Sequence, residues 1–510
     1  MQYLTPELSK FLLINRTDMD RLKLSYFDVI REQYIYCKGD YYKINEYTLW
    51  VLQQGKHNLI SSLSNVFSDA LDKDKGVLIK YFDKFIEVNQ TKDDIQQIKH
   101  NIKDFYKDYD KKIISITGST YIKSIIDFFT SLIEDNTFYD KINFNNKYII
   151  PLINCNYNIL TRKIEPRKPY QYFTKCFNVK EQEFRDAKDH KESYQIVDDF
   201  FLSIANNNND KKIYLQKIFG YCLTGDITAQ NFFIFYGEGA NGKSAVFEII
   251  QNLFTDFCKT LDPALMIQTT KKSSGVASPE MVAVDHGTRI GLLSEVDKDD
   301  DLNETYLKKI SGGDKITYRS LYKNEYKDFI SEAKCIILTN HKPNCTADRS
   351  MLRRIRFVDF NATFSDNPKN GEILSNPQLV NDLKTHLLPS VLRWCLEGTK
   401  LFLEEKLLIP DSLIHENNSY GIEANSFEKF LRDVTDIKPE YKVKTNEIYT
   451  EYQAFCREDK VKKPLKKSEF LLKMNKKFNE PVKHTDAYYY IGLQIKIDES
   501  EQETINDLDK

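Results

Sequence analysis

The chain has 510 residues, 41% of them hydrophobic, and a formal net charge of -2 from 73 Lys+Arg against 75 Asp+Glu. That length exceeds one core, so roughly two to four domains are expected, and the near-zero balance excludes a bulk electrostatic pull toward nucleic acid: any such contact must come from local basic surface. Nine cysteines without a C-x-x-C pair, no histidines at metal-ligand spacing, no basic-then-apolar leader and no run of about 18 apolar residues argue against a disulfide framework, structural zinc, secretion and membrane spans, and for an intracellular, soluble protein.

Residues 1–200 are expected to form a mainly helical domain. Amphipathic stretches at Asn58 to Val66, Val77 to Val88 and Tyr121 to Ile133 alternate with short aromatic strands such as Tyr34 to Tyr36 and Tyr148 to Ile150, and no chemistry-bearing motif lies among them. A short helix, Tyr214 to Gly225, then leads into the apolar strand Phe232 to Tyr236.

Directly after that strand come Gly237, Glu238, Gly239, Ala240, Asn241, Gly242, Lys243 and Ser244, a complete GxxxxGK[ST] loop, followed by the helix-period stretch Ala245 to Phe254. Strand, glycine-rich loop and helix in this order make a phosphate cradle. Backbone N–H groups turn toward the phosphates, the lysine reaches the β and γ oxygens, the serine hydroxyl ligates Mg²⁺ and the helix N-terminus favours the anion. ATP and Mg²⁺ are the expected ligands.

Two more apolar strands follow, Arg289 to Leu293 ending in Ser294-Glu295, and Cys335 to Thr339 ending in Asn340. In an open parallel α/β sheet, ligands bind outside the carboxyl ends of the strands, so the three endings should converge on the triphosphate. Glu295 is then the acid that holds Mg²⁺ through water or polarises the attacking water, and Asn340 senses the γ-phosphate. An ordinary strand-end carboxylate gives the same local pattern for Glu295. Between these strands, Ile316 and Tyr318 alternate with Thr317 and Arg319 before a polar tip and a return at Tyr326 to Phe329, which reads as a β-hairpin. Lys315, Arg319, Tyr322 and Lys323 would let it grip single-stranded DNA by phosphate charge and base stacking; a solvated surface hairpin fits the same alternation. Arg353 and Arg354 open the strand after Asn340. Guanidinium groups there can spread over phosphoryl oxygens, commonly from a neighbouring subunit; surface salt bridges are the competing explanation.

The nucleotide-binding core should span 201–362, a helical extension and linker 363–424, a small unit 425–497 and a disordered acidic tail 498–510. In the small unit Arg457, Lys460, Lys462, Lys463, Lys466, Lys467, Lys473, Lys476 and Lys477 crowd one helix–turn–helix span, with Phe470, Leu471, Met474 and Phe478 as its buried stripe. DNA binding through Lys463, Lys466 and Lys467 is one reading, a solvated face the other.

The order LQKIFGYCLTG, GEGANGKS, RIGLLSEVDK, LKKISGGDKITYRSLYKNEYKDF, IILTNHKP, RSMLRRIRFVDF and LRWCLEGTKLF resembles superfamily 3 helicases, specifically the helicase part of poxvirus-type and phage/plasmid-type primase-helicases. The resemblance implies an α/β, AAA+-like core with a central parallel sheet, a homo-oligomeric ring that is usually hexameric, ATP at subunit interfaces, and translocation on single-stranded or forked DNA. It assigns Lys243 and Ser244 to phosphate and Mg²⁺, Glu295 as the Walker B acid, Asn340 as the sensor, and Arg354 or Arg353 as the group acting in trans. One departure stands out: the family often has two adjacent acids, whereas here Val296 separates Glu295 from Asp297. The small unit resembles a winged helix, and the first 200 residues resemble only the family's connecting domain, so no primer synthesis by this chain is expected; a separate primase and polymerase would be partners. A viral or mobile-element replication site in the host cytoplasm is implied. The alternatives are a P-loop ATPase acting as replication initiator or origin-binding protein, and a non-helicase remodelling motor.

Overall fold

The structure, a computed structural model, describes residues 32–88, scattered positions between 96 and 114, and 119–143, 146–188, 190–267, 279–285, 287–294, 296, 300–319, 326–343, 349–414, 426–459, 461, 464–484 and 487–496. The chain divides into two compact units, Met1–Glu181 and Gln182–Lys510, with the break some twenty residues before the position 200 expected from sequence. Among the described residues no helix is long and apolar enough to cross a membrane.

The first unit is mixed. Strands β1 (Tyr34–Cys37), β2 (Asp40–Ile44) and β3 (Trp50–Gln53) form one antiparallel sheet, and β4 (Ile149–Pro151), β5 (Asn156–Asn158) and β6 (Lys163–Glu165) a second. Among the described residues its two long helices are α1 (His57–Val88) and α2 (Ser119–Leu132), and Leu59, Leu63, Ile126 and Phe129 bury their apolar stripes with Tyr34 and Tyr41. The two helical stretches expected at Asn58 to Val66 and Val77 to Val88 are one continuous helix.

The second unit is built on a five-stranded, all-parallel sheet. Its strands are β7 (Phe232–Tyr236), β8 (Cys258–Thr260), β9 (Ile290–Ser294), β12 (Lys334–Thr339) and β13 (Ile355–Asp359), in the order β13-β7-β12-β9-β8. The hairpin of β10 (Lys315–Arg319) and β11 (Tyr326–Ile330) stands apart as its own antiparallel pair. A parallel sheet needs crossovers, which bring helices to both faces and bury the strands on both sides; hence near-continuous apolar strands such as Phe-Phe-Ile-Phe-Tyr instead of alternation. On one face Phe232, Ile234, Ile337 and Phe357 pack with Leu307 and Ile310 of α6 (Glu304–Gly312). On the other, the Phe235 ring lies 5.6 Å from Phe247 of α5 (Lys243–Phe254) and 6.2 Å from Phe219 of α4 (Asn209–Leu223).

The segment after the sheet contributes to this core. Helix α8 (Leu388–Glu405) lies against α4 where Gly220 meets Gly398 and Thr399, so closely that a Cβ on either glycine would strike backbone. Thr399 Oγ1 donates to Gly220 O at 2.9 Å, and Trp394 stacks on Phe201 of α3 (Lys191–Ile204) at 3.8 Å. Helix α7 (Pro377–Lys384) precedes α8.

Residues 426–496 form a smaller assembly with its own core: α9 (Ser426–Val434), β14 (Thr435–Lys444), α10 (Thr445–Glu458), α11 (Lys467–Phe478), β15 (Val482–Lys483) and β16 (Tyr488–Ile495), the strands in the order β14-β16-β15. Phe430, Ile448, Tyr452, Phe470, Met474, Tyr490 and Leu493 are its buried centre. The acidic tail expected at 498–510 lies outside the described residues.

Candidate nucleotide site and nucleic-acid interface

Loop 237–242 leaves the carboxyl end of β7 and enters α5. Gly237 has φ +152° and Gly242, at the helix N-cap, φ +80°. Positive φ disfavours side chains, and space forbids them here: a Cβ on Gly237 would strike the Phe360 carbonyl and one on Gly242 the Ile204 side chain. Gly239 has nothing within 4 Å of such a Cβ. The first and last glycines are therefore demanded by the fold of the loop, and the middle one leaves open space where a ligand would approach.

Asn241 is buried and turned inward. Its Nδ2 donates to Glu238 O and, at 3.2 Å, to Phe360 O, so this amide seats the loop on the strand end of β13. Phe360 N donates to Tyr236 O at 2.7 Å and Phe364 N to Ala240 O at 2.8 Å, completing the seat. Lys243 Nζ donates to Gly237 O across the loop, and burial lowers its pKa below the ordinary lysine value. Ser244 is exposed on the first turn of α5. The loop thus offers a backbone concavity with a cation held at its mouth and a hydroxyl beside it, a donor set suited to a phosphate chain with a metal.

The register brings the other strand ends to the same edge. Thr339 pairs with Tyr236 and Leu338 with Ser294, so Asn340 is the next residue along from the strand that feeds the loop, and it is exposed. Thr339 Oγ1 donates to Val296 O at 3.1 Å, tying the end of β12 to the segment after β9. Glu295 and Asp297 lie outside the described residues. Sequence reading passed over Lys342, whose Nζ sits 5.0 Å from the Tyr236 ring centroid at this edge; its only signal was a lysine two residues after Asn340.

Arg353 and Arg354 lie at the opposite edge. Arg354 O accepts from Phe232 N, at the start of β7, and the length of that strand, about 13 Å at ~3.3 Å per residue, separates it from the loop. Arg354 Nη1 donates to Ser350 O at 2.8 Å, and Arg353 is exposed. Neither is brought to the loop of its own chain. Arg356 Nη1 donates to the carbonyls of Arg353 and Ile355.

The nucleic-acid candidates divide. Lys315 pairs with Ile330 at the base of the hairpin, the ladder pair farthest from the turn, and its Nζ lies 3.9 Å from Asp328 Oδ2. Arg319 pairs with Tyr326 at the other end, and Tyr322 and Lys323 lie outside the described residues. In the small assembly, Lys466 and Lys467 are exposed at the start of α11, with Lys467 donating to Asn446 Oδ1 at 2.9 Å, while Lys463 lies outside the described residues.

A family described as a family of unknown function (DUF5906) matches residues 235–354, the loop through β12 and the two arginines. Among curated proteins the chain is 26% identical over 255 residues to "Putative helicase L207/L206" of Acanthamoeba polyphaga mimivirus, covering 50% of this chain and 26% of that protein. It is 23% identical over 271 residues to "Putative helicase 022R" of Frog virus 3, covering 50% and 27%, and 30% identical over 186 residues to "Primase D5" of Fowlpox virus, covering 35% and 22%. The chain spans about a quarter of the length of these relatives. Its similarity is to helicase-like replication proteins of large DNA viruses, the resemblance that the motif order carries.

Proposed function

We propose that this chain is an ATP-driven DNA helicase of the superfamily 3 kind, with an AAA+-like core that works in a ring, usually a hexamer, and translocates on single-stranded DNA during replication of a virus or mobile element. The observation that supports it most is the shared carboxyl edge of β7 and β12, where the Gly237–Ser244 loop and Asn340 stand side by side. The relatives' printed names, helicase and primase, support a nucleic-acid substrate, and the loop geometry supports a nucleoside triphosphate.

In this reading the amides of 237–244 and the Lys243 side chain would hold the β and γ phosphates, and Ser244 and, through water, Glu295 would hold Mg²⁺, which would supply positive charge to the phosphate oxygens. Asn340 would sense the γ-phosphate, and Glu295 is also the residue that would polarise the attacking water. The opposite-edge position of Arg353 and Arg354 supports their acting on a neighbouring subunit's nucleotide, the arrangement in which hydrolysis requires assembly. The small assembly has the helix–strand–helix–helix–strand–strand order of a winged helix, which supports a nucleic-acid-binding role; with it, origin recognition by a replication initiator is the second reading.

The test is strand displacement on a forked DNA with ATP and Mg²⁺, wild type against Lys243→Ala, together with the mass of the nucleotide-bound assembly. Unwinding by the wild type alone, from a multimeric species, is expected. ATP hydrolysis without unwinding would favour the initiator reading, and a folded chain indifferent to ATP would end both.

A further inference from the structure

Several exposed lysines of α11, in the span expected to bind DNA, also make contacts within the chain. On α11, Lys467 is bonded to Asn446, Lys477 pairs with Glu428, and Lys473 lies 5.6 Å from the Phe427 ring centroid. The neighbouring sheet carries lysines around an aromatic ring. Lys444 pairs with Tyr489, Lys442 with Ile491 and Val482 with Tyr489, while Val443 and Tyr490, the alternate pair, are buried in the core. Because strand side chains alternate, Lys442, Lys444, Val482, Tyr489 and Ile491 share the outer face.

That outer face is both basic and apolar. Val482 is 50% exposed and Ile491 42%, unusual for branched aliphatics on an open sheet face. Between them the Tyr489 ring has Lys442 Nζ at 5.5 Å and Lys444 Nζ at 5.9 Å from its centroid, and His484 edge-on at 5.2 Å. Lys483 is exposed next to His484. An aromatic platform with aliphatic flanks and flexible cations around it suits a polyanion that carries flat apolar groups, and poorly suits an acidic peptide, which has no such groups to stack.

We propose that the outer face of the β14-β16-β15 sheet is a single-stranded DNA site, in which Tyr489 and His484 stack unpaired bases and Lys442 and Lys444 hold the adjoining phosphates. This rests on the helicase reading for its ligand class and moves the contact from helix α11 to the sheet. Unpaired bases are required because only they expose the ring faces that Tyr489 can cover; a duplex offers this face phosphates alone.

The test uses the full chain and a thymidine oligonucleotide carrying 5-iododeoxyuridine, photo-cross-linked and mapped by mass spectrometry, with fluorescence anisotropy on the same strand and on a duplex of equal length. Cross-links at Tyr489 or His484 are expected. Tyr489→Ala should weaken single-strand binding by about tenfold and leave duplex binding unchanged, and Tyr489→Phe should restore it, as stacking without a hydroxyl requirement predicts. Lys442→Glu with Lys444→Glu should flatten the log–log salt dependence by about 0.7 for each lysine. Persisting binding with cross-links confined to the 315–330 hairpin or to α11, or equal losses on single strand and duplex, would overturn the sheet site and leave the helicase reading intact. A wild-type chain that binds no oligonucleotide would overturn the helicase reading with it.

Discussion

Lys211, on the first turn of α4, donates from Nζ to Asp359 Oδ2 at 2.7 Å, although 148 residues separate the two, and also reaches Asp359 O and Asn361 Oδ1 at 3.2 and 3.1 Å. Lys211 is buried, and Asn208 caps the same helix by accepting from Lys211 N at 3.0 Å. The pair fixes the chain on both sides of Phe360, whose carbonyl receives Asn241 from the phosphate loop. A cation far from the loop in sequence therefore sets the seat on which the loop rests.

Lys211→Met should raise KM for ATP about tenfold, equivalent to ~1.4 kcal/mol of loop positioning, with a smaller change in kcat. Asp359→Asn, which keeps an acceptor for Nζ, should fall between that variant and wild type. A folded Lys211→Met enzyme with unchanged KM would remove Lys211 from the positioning of the loop.

For Lys243, removal of the ammonium should abolish nucleotide binding measured by calorimetry; unaltered ATP affinity in Lys243→Ala would remove it from the site. Burial depresses its pKa in the free protein, and a bound polyphosphate favours the charged form, so binding takes up a proton only as pH rises through that lowered pKa. ATP affinity should accordingly decline with rising pH before an ordinary lysine would begin to titrate.

Arg354 gives a test of assembly. If it completes a neighbour's site from the far edge of the sheet, Arg354→Ala should lower ATPase activity by about 10³ or more while leaving nucleotide affinity in place. Mixed with Lys243→Ala protein, it should regain part of the activity, because rings then contain interfaces with an intact loop facing an intact arginine. Absence of any recovery in mixed rings would argue for action within one chain.

The features legible in the sequence were those set by local rules. The loop is recognisable because Gly237 and Gly242 answer backbone demands within eight residues, and the hairpin because Ile316 points inward between Lys315 and Thr317. Strands β7, β9 and β12 read as apolar runs because both faces are covered. What stayed hidden depends on contacts between distant segments. No periodicity links Lys211 to Asp359, or Gly220 to Gly398, and composition does not show that Lys477 pairs with Glu428 or that Lys442 flanks the Tyr489 ring.

The amino edge of the sheet holds a buried charge cluster with its own pH signature. Arg289 Nη1 pairs with Glu332 Oε2 at 2.7 Å, both almost wholly buried, and Lys334 next to them donates to the carbonyls of Thr224 and Glu332 and lies 4.8 Å from the Tyr221 ring centroid. Burial first, then the Arg289 charge, brings the Lys334 pKa down to about 7 from 10.5. Between those values the unfolded chain holds the proton and the folded one does not, so stability from this group rises with pH across the window and is level below about 7, where both forms hold it. The slope can approach ~1.4 kcal/mol per pH unit. Lys334→Met should remove that slope and cost about 1–3 kcal/mol at pH 7 through the two carbonyls left without a donor. Urea unfolding of both proteins at pH 7 and pH 9 measures it: the wild type should gain more stability over the interval than the variant, and parallel gains would mean that Lys334 does not titrate in this window.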